Sequence, residues 1–170
     1  MNKKSKKSQK SLLGTIGTLL ILVLYIWFEY GNPQEIIAEG REQVELVRVV
    51  DGDTIIVNYQ NEQSRVRLIG INSPESVHAD ETKNTQEGKD ASAFLKEYLA
   101  DVKYVWLEFD TEPRDQYGRY LAYVWMNPEG TEIGEDMLNG IIVKNGYARA
   151  RSYEPNVKYQ EALEKEEKGR

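Results

Sequence analysis

Residues Val44–Ile71 read V-E-L-V-R-V-V-D-G-D-T-I-I-V-N-Y-Q-N-E-Q-S-R-V-R-L-I-G-I, and their reading decides the architecture. Val44 to Val50 is short and β-branched, and Thr54 to Tyr59 is similar. Such side chains fit a pleated, half-buried surface. Asp51-Gly52 between them is a hairpin signal, because Asp and Gly tolerate positive φ. Asn61-Glu62-Gln63 turns the chain again. Ser64 to Ile71 then alternates polar and apolar through Arg65, Val66, Arg67 and Leu68, the period of a strand with one buried face. Three strands in a meander follow.

Toward the C-terminus, Ser76 to Lys89 is polar and reads as a long exposed loop. It holds the single histidine, His78, which reads as an exposed loop residue rather than a catalytic base. Ala91, Phe94, Leu95, Tyr98 and Leu99 recur at helical spacing and predict a helix from about Lys89 to Ala100. Lys103 to Phe109 and Tyr120 to Met126 read as strands, joined by a polar turn that carries Pro113 and Gly118. A second helix is expected over Ile133 to Asn145, stopped by Gly146 as its C′ residue. A third, strongly charged one is expected over Val157 to Lys168. Five strands and three helices, with a helix between the third and fourth strands, fit an α+β chain built on an OB-type Greek-key barrel. The order of elements alone does not single that fold out.

Leu12 to Phe28 runs without one charged side chain. At about 1.5 Å per residue it spans roughly 26 Å, just enough for a hydrocarbon core of about 30 Å. Tyr25 and Trp27 match an aromatic belt, and five lysines within the first ten residues predict an inside N-terminus. The expected organisation is a basic tail over 1–11, a transmembrane signal-anchor helix over 12–30, a linker over 31–40 and a folded domain over 41–170. The domain would then lie outside a single-pass membrane anchor. A cleaved signal peptide, which would release the domain, is the rival reading; no A-x-A site follows the apolar run.

The chain of 170 residues is 40% hydrophobic and 29% charged, the composition of a packed domain rather than a disordered one. It contains no cysteine, which excludes disulfides, thiolate zinc sites and a cysteine nucleophile. Five of its 22 basic and three of its 28 acidic residues precede Arg41, leaving 17 against 25, a net charge of −8. A general basic coat for nucleic acid is thereby excluded, since backbone binding needs Lys and Arg on phosphates. Any such role must rest on a local cluster and a bound cation.

Four local features carry candidate chemistry, and each has an ordinary reading beside it. Asp51-Gly52-Asp53-Thr54 is a plain hairpin turn, or a turn whose Asp53 offers a hard oxygen to a divalent cation. In Arg67-Leu-Ile-Gly-Ile-Asn72-Ser73-Pro74-Glu75, Arg67 is a surface arginine or a bidentate phosphate ligand. Glu75 is a loop carboxylate or a group that polarises water. Asp115-Gln116-Tyr117-Gly118-Arg119 is a common turn, or it supplies a second phosphate-binding Arg119 with Tyr117 beside it. In Arg151-Ser152-Tyr153-Glu154-Pro155, Tyr153 packs on proline or stacks a base.

Taken together and in this order, the motifs resemble the staphylococcal nuclease (thermonuclease) family over about Val44 to Lys168. The resemblance rests on D-G-D-T, V-R-L-I-G-I-N-S-P-E, A-S-A-F from Ala91, E-F-D from Glu108, D-Q-Y-G-R-Y-L-A-Y-V from Asp115, N-G-Y-A from Asn145 and Y-E-P-N. It implies a Ca²⁺-dependent endonuclease that hydrolyses DNA and RNA to 3′-phosphate and 5′-hydroxyl ends, acting as a monomer. It also implies that Asp53, residue 72 and the backbone carbonyl of Ser73 hold Ca²⁺. Arg67 and Arg119 would bracket the phosphate, Glu75 would serve as general base, and Tyr117 and Tyr153 would contact substrate.

Departures from the family pattern qualify this. Asn72 stands where a metal-binding aspartate is common, so calcium affinity should fall. Gln116 and Arg151 replace a lysine and a tyrosine near the nucleotide phosphate, so the grip on a terminal phosphate should differ. Members often continue to a tryptophan that closes the fold, whereas this chain stops at Arg170. The alternative reading is a catalytically inactive OB module that binds nucleic acid or protein. Retention of Arg67, Glu75 and Arg119 together favours the enzyme.

Overall fold

The computed structural model describes residues 40–76, 82 and 84–170. The expected membrane helix, nearly all of the linker and His78 lie outside the described residues. Among the described residues no helix is long and apolar enough to cross a membrane.

The meander forms as expected, from β1 (Arg41–Asp51), β2 (Thr54–Tyr59) and β3 (Glu62–Leu68). Beyond the two-residue strand β4 (Ile71–Asn72) come helix α1 (Gln86–Tyr98), β5 (Tyr104–Arg114) and β6 (Tyr120–Trp125). Helix α2 (Leu138–Lys144), the short β7 (Arg149–Ala150) and helix α3 (Gln160–Lys168) complete the chain. The long strands close into a barrel in the order β1-β2-β3-β6-β5. All its pairings are antiparallel except β3 with β6, which is parallel. The five-stranded α+β barrel of OB type is therefore present.

Alternation explains the closure. In β3, Ser64, Val66 and Leu68 are buried while Arg65 and Arg67 point the other way. The inward residues join Ile55, Val57, Leu107, Val124 and Leu138 in one core, with Tyr123 and Trp125 among its largest members. Burial of such residues contributes about 1.5–3 kcal/mol each.

Three differences from the sequence expectations have physical causes. Residues Ser64 to Ile71 are not one strand: Gly70 takes φ +76° and breaks the ladder, so Ile71–Asn72 leaves the barrel and pairs with β7 instead. A Cβ on Gly70 would also lie 2.5 Å from Leu163 of α3, which packs onto this bend. Asn139 clamps the same bend from the core, fully buried, donating to the Ile69 carbonyl at 2.8 Å and accepting from Val124 N–H at 2.9 Å. Second, the helix expected over Ile133 to Asn145 begins only at Leu138; Asp136 accepts backbone N–H bonds from Thr131 and Glu132 in a preceding turn. Its end is as expected, with Gly146 at φ +84°. Third, α1 starts three residues early because Thr85 caps it, its hydroxyl accepting from Gly88 N–H.

Candidate active site

The β1–β2 turn, the β3–β4 bend and the segment after β4 meet at one rim of the barrel. Gly52 is essential there for space, not for backbone freedom. It is absent from the positive-φ residues, but a Cβ on it would stand 2.1 Å from Ser73 Oγ and 2.9 Å from Ala91 Cβ. That close approach brings Asp53 against Ser73, whose backbone N–H donates to Asp53 Oδ2 at 3.0 Å. Thr54 donates to Asp53 Oδ1 at 3.2 Å. Ser73 is itself fixed by its hydroxyl, which donates to the Tyr147 carbonyl at 3.1 Å.

Arg67 ties this rim together. Its Nη1 lies 2.8 Å from Asp53 Oδ2, an ion pair with both side chains nearly buried. Nη1 also donates to the Leu68 carbonyl at 3.0 Å, while Nη2 donates to the Ile71 carbonyl at 3.3 Å and to Asn72 Oδ1 at 3.4 Å. Asp53 and Asn72 thus stand on opposite arms of one guanidinium. Tyr153 donates its hydroxyl to the same Asn72 oxygen at 3.3 Å. Burial pushes the Asp53 carboxyl above its ordinary value, with the Arg67 charge and the Ser73 N–H acting against that shift.

Arg119 is presented by the turn between β5 and β6. Asp115 organises it, accepting from the backbone N–H of Tyr117 at 2.9 Å and of Arg119 at 3.0 Å. Its other oxygen takes Arg119 Nε at 2.7 Å. Burial raises the Asp115 carboxyl, but the Arg119 guanidinium and these N–H donors outweigh it and hold it below the usual range. Only Nε of Arg119 is engaged with a side chain among the described residues, so its terminal nitrogens are available as a fork.

The two arginines line one cavity of about 270 Å³, together with Gln116, Tyr117 and Tyr153. Glu112, Asp115 and Glu154 also line it. Tyr117 is 76% exposed. Arg151 does not line this cavity: its backbone N–H bonds to the Gly70 carbonyl, and its guanidinium sits 5.8 Å from the Tyr153 ring centroid. Glu75 is exposed and, unlike Arg67 and Arg119, does not line this cavity; its carbonyl accepts from Thr85 N–H at 2.9 Å. Gly88 lets that carbonyl approach α1, since a Cβ there would lie 2.1 Å from it. A larger groove of about 490 Å³ between β1 and the end of α1 contains none of these residues.

Among the described residues no three His, Cys, Asp or Glu side chains gather as a metal site. The side-chain donors at this rim are one buried carboxylate (Asp53) and one amide oxygen (Asn72), both bonded to Arg67. These are hard oxygens, which suit a group-two cation and not a soft metal.

This constellation and barrel coincide with a sequence match. The family model described as staphylococcal nuclease homologue fits residues 65–169. The chain belongs to the staphylococcal nuclease family. The thermonuclease of Staphylococcus hyicus is 43% identical over 133 residues, covering 78% of this chain and 73% of the relative. That of Staphylococcus intermedius is 46% identical over 121 residues, covering 71% and 67% respectively. A prophage-derived endonuclease of Bacillus subtilis is 41% identical over 126 residues, but these cover 40% of its length. As a staphylococcal nuclease family member, the chain is a hydrolase of nuclease type.

Sequence reasoning missed two contributors to this family site. By local pattern Asp115 is only part of a turn, although the spacing D-x-x-x-R signals a carboxylate four residues from its arginine. Gly52 reads as a hairpin residue, and nothing local in the sequence points to Ser73 above it.

Proposed function

We propose that this nuclease is a Ca²⁺-dependent phosphodiesterase that hydrolyses DNA and RNA to 3′-phosphate and 5′-hydroxyl ends. One observation carries the reading: Arg67 and Arg119 line a single cavity, and Arg67 at the same time joins Asp53 to Asn72. A phosphodiester is already anionic, and attack by water builds more charge on its equatorial oxygens. Two guanidinium groups aimed at that charge stabilise the transition state more than the ground state.

The residues divide the work as follows. Glu75 accepts a proton from the attacking water, whose oxygen forms the new bond to phosphorus. The P–O5′ bond breaks, leaving the phosphate on the 3′ side, and the departing O5′ takes a proton from solvent water to become the 5′-hydroxyl. Arg119 stabilises the leaving oxygen electrostatically; it does not donate a proton, because a guanidinium hardly deprotonates below pH of about 12. Tyr117 and Tyr153 hold flanking nucleotides by ring contact. Asp53, Asn72 and the Ser73 carbonyl would hold Ca²⁺, which supplies Lewis-acid polarisation of the phosphoryl oxygen when bound. We further propose display outside the membrane, supported by the uncharged run Leu12 to Phe28 behind five lysines. Calcium near millimolar there would suit a site of low ligand charge.

The test is incubation of the purified chain with plasmid and single-stranded DNA, at about 10 mM Ca²⁺ or with chelator. Cleavage only with Ca²⁺, leaving 3′-phosphate ends, is expected. A folded chain that cuts neither substrate would contradict the reading and leave a binding module. Location has its own test: protease added to intact cells should remove the domain, and full protection would contradict display outside.

A further inference from the structure

A second cavity, of about 200 Å³, adjoins the first and shares Tyr117 and Arg119 with it as a common wall. It is lined further by Glu62, Gln63, Ser64, Arg65, Arg114 and Gly118. Three arginines therefore converge on one small surface of a domain whose net charge is −8 from Arg41 onward.

Their placement follows from the sheet. Arg65 and Arg67 lie two residues apart on the outward face of β3, so their Cα atoms are about 6.7 Å apart. That spacing is comparable to the separation of neighbouring phosphates along an extended nucleotide chain. Arg114 ends β5 and is fixed in place: Nη1 donates to the Gly118 carbonyl at 3.2 Å and Nη2 donates to the Tyr120 hydroxyl. Its guanidinium carbon lies 3.8 Å from the Tyr120 ring centroid. Among the described residues neither Arg65 nor Arg114 is paired with a carboxylate, in contrast to Arg67 and Arg119. Glu62 is the one acidic residue of the lining.

Resting on the nuclease reading above, we propose that this cavity is an accessory subsite. It would hold a backbone phosphate of the same polynucleotide strand, beyond the one cleaved. The strand would cross the Tyr117–Arg119 wall, with a base against the exposed Tyr117 ring and the next phosphate between Arg65 and Arg114. The enzyme would then favour strands long enough to fill both cavities over minimal diesters. An unpaired, pre-positioned guanidinium is a better phosphate ligand than one already neutralised, because no ion pair must first be broken.

The test compares kcat/KM for a single-stranded decanucleotide and for a dinucleotide diester, using wild type, Arg65→Gln and Arg114→Gln. Each substitution should lower the value for the long substrate about tenfold more than for the short one, mainly through KM. The slope of log KM against log salt should fall by about one for each arginine removed. Equal losses on both substrates would assign Arg114 to holding its turn and overturn the subsite, as would no loss for Arg65→Gln. Arg65→Lys should restore part of the long-substrate preference if charge is what matters; no restoration in either KM or salt slope would contradict the claim. Wild type that cleaves neither substrate refutes the nuclease reading itself. Wild type that cleaves both equally well refutes only the subsite.

Discussion

Arg67 and Asp53 form an ion pair 2.8 Å long across β2 and β3, with side chains only 14% and 11% exposed. Asp53 sits just before Thr54, whose Cα faces that of Arg67 in the strand register. The pair is thus set by the barrel itself. It also places the proposed phosphate ligand against the proposed cation ligand, so each should feel what the other holds.

Removing Arg67 should therefore cost stability as well as activity. Arg67→Gln leaves the buried Asp53 carboxylate without its cationic partner, a loss of about 3 kcal/mol. Urea unfolding without divalent ions measures it, and a loss below about 1 kcal/mol would contradict the burial argument. Added Ca²⁺ should raise the unfolding midpoint of wild type, by about 2.7 kcal/mol at a hundredfold excess over Kd. Asp53→Ala should abolish that calcium response. A response that survives the substitution would place the ion elsewhere.

Asn72 brings an oxygen but no charge to the proposed calcium set. Asn72→Asp should lower the Ca²⁺ concentration at half-maximal stabilisation several-fold. Calorimetric or unfolding titration of both proteins decides this. An unchanged or higher midpoint would show that residue 72 is not a ligand.

Gly52 should tolerate no side chain, although its backbone is ordinary. Gly52→Ala puts a methyl group 2.1 Å from Ser73 Oγ and must push Ser73 away from Asp53. Both calcium stabilisation and cleavage should weaken, by at least about tenfold for cleavage. Wild-type behaviour in this variant would mean that the Ser73–Asp53 contact is not needed.

Acid stability should depend on Glu108, which is buried and bonded to Arg41 Nε at 3.1 Å and the Tyr159 hydroxyl at 2.9 Å, with Lys158 also paired to it. Burial alone would raise its carboxyl, but Lys158, Tyr159 and Arg41 together bring it below its ordinary 4.5. A lowered folded value means that the stabilisation is complete above 4.5 and is lost as pH falls through the folded value. Wild type should exceed Glu108→Gln in stability near pH of about 7, and the difference should shrink toward pH of about 3. A difference that grows in acid would reverse the sign and reject the assignment.

The strands were legible in the sequence because their signals are local, whereas the barrel they close into followed only from the family resemblance. Alternation in Ser64–Leu68 and β-branching in Thr54–Tyr59 act within a few residues of each other. The site arginines were legible only through the motif order shared with the family, since Arg67 alone reads as a surface arginine and Arg119 as part of a common turn. What stayed hidden depends on long-range contact. The β4–β7 pairing joins Ile71 to Ala150, and Asn139 reaches the Ile69 carbonyl 70 residues away. The arginines of the adjoining cavity were hidden likewise, since Arg65 and Arg114 meet only when β3, β5 and β6 close.

The proposed function requires Arg67 and Arg119 to act on one phosphate in one transition state. A double-mutant cycle of single-turnover cleavage measures this with Arg67→Lys, Arg119→Lys and the double variant, at saturating Ca²⁺. Each single substitution should slow cleavage by at least about a hundredfold. The double variant should lose much less than the product of the two, because groups that serve one transition state are not additive. Losses that simply multiply would show that the two guanidinium groups act independently and would contradict a shared phosphate.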